Sequence, residues 1–179
     1  MLDPGVAVLV GFVVLVGNPW LNLDLTIALT DSDSSLRVAT VLISYPTWQV
    51  DLDRAGSFLF WFWNLRTVLF VVLAVLGLAR VRRWAGDKGG LFVTTVGMIA
   101  LSAVAAGLVS GLVATTLLDD GGSLPYLVPG ESDEFFVSQL GSSAAFGVVF
   151  GAIIGGVVAM PRSRPASRER RVSPPKSLW

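Results

Sequence analysis

Long uncharged apolar runs constrain this chain more than any other feature. A bilayer core of about 30 Å takes about 20 apolar residues in helical form. Phe58–Ala79, Leu91–Leu118 and Val137–Met160 reach that length; the first is interrupted by Asn64 and Arg66, and the other two carry no formal charge. A fourth run, Gly5–Gly17, is short. It approaches spanning length only when carried through Asn18, Pro19 and Trp20 to Leu21. Met1-Leu2-Asp3 supplies no basic start, and no small-x-small cleavage site follows, so this run reads as a retained span rather than a signal peptide. The expectation is an all-α integral membrane protein, a four-transmembrane-helix bundle with helices near 4–21, 57–80, 90–118 and 136–160. Residues 1–160 then form the membrane domain.

Charge orders the connections. The chain holds 13 Lys+Arg and 13 Asp+Glu, for a formal net charge of zero. Arg80, Arg82, Arg83 and Lys88 share one short connection, and Arg162, Arg164, Arg168, Arg170, Arg171 and Lys176 lie in the segment 161–179. Positive charge in short connections marks the cytoplasmic side. Two spans separate the basic segments, so both fall on one side, with the N- and C-termini cytoplasmic in the cell membrane. Asp24, Asp31, Asp33, Asp51, Asp53, Asp119, Asp120, Glu131, Asp133 and Glu134 then stand outside. Segment 161–179 is poor in apolar residues and reads as a disordered tail. The arginines of both basic segments are candidate contacts for anionic lipid headgroups. Their position beside the bilayer gives no reason to expect nucleic acid as a partner.

The outer connection 22–57 carries pattern. Leu21, Leu23, Leu25, Ile27 and Leu29 alternate with polar or small residues, as do Trp48, Val50 and Leu52; Val38–Ile43 is β-prone between them. Period-2 alternation is the signature of a half-buried strand. Asp31–Ser35 and Tyr45-Pro46 read as turns. A small extracytoplasmic β-rich cap over 22–56 is therefore expected, covered by the loop 119–135 or by a partner protein. An irregular loop on the membrane surface is the alternative.

Two features inside the spans are candidates for function. Small residues recur every four positions: Gly147, Gly151, Gly155 and Ala159 in the last run, and Ala103, Gly107 and Gly111 in the third. Ser102, Ala106, Ser110 and Ala114 form a neighbouring row. Such glycine-zipper rows let helix backbones approach in lipid. They fit packing of the third helix on the fourth, or an interface with a second copy or another membrane protein. The other feature is Arg66, the one charge inside a predicted span. It either snorkels to the outer interface or pairs in the interior, helped by Asn64 and meeting Asp119, Gln139 or Glu134.

The chain has no Cys and no His, which removes thiolate nucleophiles, zinc–thiolate sites, His-ligated haem and Ser–His triads. No cofactor or metal motif and no nucleophile beside a base is visible. The expected function is non-enzymatic: an accessory or scaffolding membrane protein acting through helix packing and its cap. A small transporter or channel component needs a polar path near Arg66, for which Thr94, Thr95, Ser102, Ser110, Thr115 and Thr116 supply hydroxyls. A membrane enzyme using the outer carboxylates is the remaining alternative.

Overall fold

A computed structural model describes residues 3–30, 37–84, 87–117 and 132–160. They form six helices: α1 Pro4–Val16, α2 Pro19–Thr30, α3 Arg37–Ser44, α4 Leu52–Trp84, α5 Lys88–Leu117 and α6 Ser132–Ala159. Three stretches are long and apolar enough to cross a membrane: Gly56–Val81, Lys88–Ala114 and Phe136–Ala159. The expected fourth span is broken instead. α1 has 13 residues, about 20 Å at 1.5 Å per residue. The chain then turns by 79° into α2.

Local chemistry explains the ends of these helices. Asp3 caps α1 by accepting from the Gly5 N–H at 2.9 Å, with Pro4 in the first helical position. Asp87 does the same for α5, accepting from the Gly90 N–H at 3.2 Å. Gly17 ends α1 by donating to the Val13 carbonyl at 3.0 Å. A Cβ at Gly17 would stand 2.7 Å from the Trp48 ring, so the bend is built on a missing side chain. Within α4, Gly56 breaks the helix with φ 73° and ψ 155°, a conformation that suits only glycine.

No strand occurs among the described residues, so the β-rich cap is corrected. Leu21–Leu29 lie in α2, and Val38–Ile43 lie in α3. Asn18-Pro19 is the decisive local signal. The Asn18 side chain accepts from the Trp20 N–H at 3.1 Å, and Pro19 takes the first helical position, where its missing N–H costs nothing. Residues two apart are about 200° apart around a helix. The alternating leucines therefore cover α2 all round, and Trp20, Leu21, Leu23 and Ile27 are exposed. The third expected strand, around Trp48–Leu52, is neither strand nor helix up to Asp51, and Leu52 begins α4. The Asn64 side chain substitutes for a pairing strand, accepting from the Gln49 N–H at 3.1 Å and donating to the Gln49 carbonyl at 2.9 Å.

α5 packs between α4 and α6, and its two rows of small residues face these neighbours. An added Cβ at Gly147 would meet the Ala100 Cα at 2.6 Å and the Ala103 Cβ at 3.1 Å; at Gly151, the Val96 Cα at 3.0 Å; at Gly155, the Phe92 ring at 3.0 Å. Gly107 and Gly111 lie against Ser143 and Phe136 of α6, and Ala159 is half-buried. On the α4 side, a Cβ at Gly77 would meet the Met98 Cε at 2.8 Å. Ser102, Ala106, Ser110 and Ala114 are all buried. Where these helices meet, Phe12, Phe70, Phe146 and Phe150 form an aromatic centre with Tyr45.

Gly147→Ala should destabilise the bundle by about 1–3 kcal/mol, because backbone blocks the new methyl. Gly156→Ala, with nothing within 4 Å of its added carbon, should be neutral or stabilise by up to about 1 kcal/mol. Thermal unfolding in a neutral detergent measures both.

Candidate functional site: a buried arginine under the 45–51 segment

Arg66 lies about 15 Å along α4 from the Gly56 break, at 1.5 Å per residue. It is 1% exposed, so it does not snorkel. Its side chain bridges elements far apart in sequence. Nη1 donates to the Gln139 Oε1 of α6 at 2.8 Å, and Nη2 donates to the Tyr45 carbonyl at 2.5 Å. The guanidinium carbon lies 4.1 Å from the Trp63 ring centroid and 4.3 Å from that of Tyr45. Nε is buried and without a hydrogen-bond partner. Arg66 makes no ion pair with any described carboxylate.

The physics of this arrangement is specific. Moving a guanidinium out of water costs several kcal/mol, even after relaxation. Hydrogen bonds to a charged group return about 1.5–3 kcal/mol each, and a desolvated cation–π contact about 2 kcal/mol. Both hydrogen-bond acceptors are neutral, so among the described residues the positive charge is solvated without being cancelled.

Of the expected partners, Gln139 is in contact. Asp119 lies outside the described residues, and the Glu134 side chain is not described. Asn64 does not help Arg66. Its amide is committed to Gln49, and it stands two residues, about half a turn, before Arg66 on α4. Asn64 and Arg66 thus hold the same segment at two points, and Thr67 touches it at a third, its hydroxyl shared between the Trp63 carbonyl at 3.0 Å and the Thr47 carbonyl at 3.3 Å.

Tyr45 is the residue that sequence reasoning missed, because Tyr45-Pro46 read as an ordinary turn. Its ring stacks on Phe146 at 4.1 Å with an interplanar angle of 7°, and meets Phe70 edge-on at 5.4 Å. Its hydroxyl donates to the Ala103 carbonyl at 2.7 Å. A bulky, singly polar side chain next to proline in a connection was the available signal. A phenol can enter an apolar core when its one hydroxyl finds an acceptor.

Above Arg66, a half-open cleft of about 240 Å³ lies between α3, α4 and α6. Thr40, Ser44, Ser138 and Ser142 border it, with Gln139 and Trp63. None of the described α5 hydroxyls lines it. Thr95 and Ser102 donate at 2.7 Å to the carbonyls of Leu91 and Met98 on their own helix. Ser110 donates to the Gly107 carbonyl at 3.1 Å. Among the described residues no group of three or more Asp or Glu side chains could hold a metal ion. Arg80, at the other end of α4, is exposed. The side chains of Arg82 and Arg83, and all of Arg162, Arg164, Arg168, Arg170 and Arg171, lie outside the description.

Removing the Tyr45 hydroxyl and removing its ring should have distinct costs. Tyr45→Phe should destabilise by about 1 kcal/mol, the net worth of one hydrogen bond. Tyr45→Ala should cost about 3–5 kcal/mol, as for a buried aromatic. Thermal unfolding measures the two, and limited proteolysis should show cleavage in 45–51 for Tyr45→Ala alone. Comparisons of the chain with protein-family models, with curated proteins and with solved structures find no match in any of the three.

Proposed function

We propose that the protein is a multi-pass protein of the cell membrane that acts without catalysis, as an accessory or scaffolding component. In this reading α1 and the start of α2 complete a bent fourth crossing that puts both termini in the cytoplasm, and the rest of α2, α3 and residues 45–51 form an outer platform on the bundle. The observation that carries the reading is the state of α2. It is pinned at the bend: the Asn22 side chain donates to the Val16 carbonyl at 3.0 Å and to the Ile43 carbonyl at 2.7 Å. Yet Trp20 is 74% exposed, and Leu23 and Ile27 are exposed beside it. A fixed helix with apolar residues left uncovered suits contact with another membrane-embedded surface.

The transporter or channel alternative has less support. It needs hydroxyls along a wet path, whereas Thr95, Ser102 and Ser110 are buried and bonded within their own helix. The enzyme alternative rests on Asp119, Asp120 and Glu131, outside the described residues, and on Asp133 and Glu134, whose side chains are not described. The inner arginines, Arg80 among them, are proposed to meet anionic lipid headgroups.

Two measurements test this reading. Topology reporters fused after Gly86 and after Gly122 should give opposite signals, and equal signals overturn the orientation. A photo-crosslinking residue placed at Leu23 or Ile27 should give a discrete protein adduct in native membranes, either a second copy or another membrane protein. Adducts to lipid alone overturn the scaffolding role.

A further inference from the structure

The Arg66 cleft has features that the scaffolding reading does not use. A buried guanidinium keeps an unpartnered Nε, takes only neutral acceptors and makes no described ion pair. It lines a cleft whose other walls carry Ser44, Ser138, Ser142 and Thr40. Its acceptor Gln139 also borders the cleft and is only half-buried. An uncancelled charge in a low-dielectric site is held there at a cost that an anion would relieve.

We infer that this cleft is a binding site for a phosphate group. In the bound state a phosphate oxygen takes the place of the Gln139 amide oxygen on the guanidinium; Ser138 borders the remaining oxygens, and the Ser44 and Ser142 hydroxyls, which donate to the carbonyls of Thr40 and Gln139 at 2.7 and 3.0 Å, turn to meet them. Arginine suits phosphate because its planar fork matches two oxygens at once. Several hydroxyl donors around one cation favour an anion with several oxygens. The volume of about 240 Å³ lies below the range of about 300–1,000 Å³ typical of pockets for drug-sized ligands. It admits a phosphate or a headgroup phosphodiester but not a nucleotide. The phosphate comes either from a lipid of the outer leaflet or from free phosphate in solution. Trp63 lines the site and Trp61 is exposed two residues before it; both are of the type that gathers at the headgroup level, which brings lipid phosphates within reach.

The test uses the full chain in a phosphate-free maltoside detergent and reads the melting temperature. One arm adds inorganic phosphate; the other adds short-chain phosphatidylglycerol, with an uncharged glycolipid as control. Saturable stabilisation is expected in one or both arms and not with the glycolipid. Phosphatidylglycerol alone identifies the lipid source; inorganic phosphate alone identifies the free anion; both together identify a site that reads the phosphate itself. Gln139→Glu places a carboxylate on Arg66. It should raise the melting temperature without ligand and weaken the apparent affinity by about tenfold or more, the scale of a charge-assisted hydrogen bond. Ser142→Leu blocks the mouth of the cleft from an exposed position, so it should weaken binding without altering the ligand-free melting temperature. It decides the matter should Gln139→Glu fail to fold. No stabilisation by either ligand, or an undiminished shift in the variant that folds, overturns the site.

Discussion

The upper half of this structure depends on one desolvated cation that must be solvated by protein. Arg66 is almost wholly withdrawn from solvent, so most of its solvation has to come from groups brought from elsewhere. One comes from α6 through Gln139, and the other is a main-chain carbonyl at Tyr45. The aromatic faces of Trp63 and Tyr45 supply the rest. Meeting that need draws a short connection down among the helices. Once there, the connection has polar main-chain groups of its own to satisfy. Asn64 serves both those of Gln49, and Thr67 serves Thr47. A single charge thus fixes where the chain between α3 and α4 must run.

Deeper in the bundle the problem is different. Lipid is as apolar as leucine, so burying leucine gives helices little reason to associate. Close backbone approach does. Gly147, Gly151 and Gly155 bring α6 against the main chain of α5, where dispersion and weak Cα–H contacts act over a whole helix length. α5 can serve two neighbours because it carries two small-residue rows, one per side. Its hydroxyls do not disturb this, because each buried one returns to a carbonyl three or four residues back.

The parts of the fold set by composition and spacing are legible in the sequence. Uninterrupted apolar length marks the three long helices, and four-residue spacing marks the rows between α5 and α6. Arg66 stands out because a charge in an apolar run is costly, and Gln139 lies among the acceptors within its reach. What fails is the reading of 22–56. Alternation there marks a half-buried strand only if one face meets water. α2 leaves Trp20, Leu21, Leu23 and Ile27 exposed, and its helical start is written in Asn18-Pro19 rather than in any period. The first run bends at the same point, by 79°, since the pair that starts α2 cannot also sit inside a straight α1. Tyr45 and the use of Asn64 were hidden for another reason. Both depend on a segment docking onto a helix distant in sequence, and no local pattern reports that.

The seat of Tyr45 has a consequence for the order of assembly. Its ring touches Phe70 of α4 and Phe146 of α6, and its hydroxyl ends on Ala103 of α5. The phenol is thus a keystone, and the arch it closes is built from residues that follow it in the chain. Synthesis delivers Tyr45 first and its last contact a hundred residues later. α1, α2 and α3 can enter or lie on the membrane early, but they cannot take their final positions until α6 has arrived. In this chain the first part made is among the last to be locked in place.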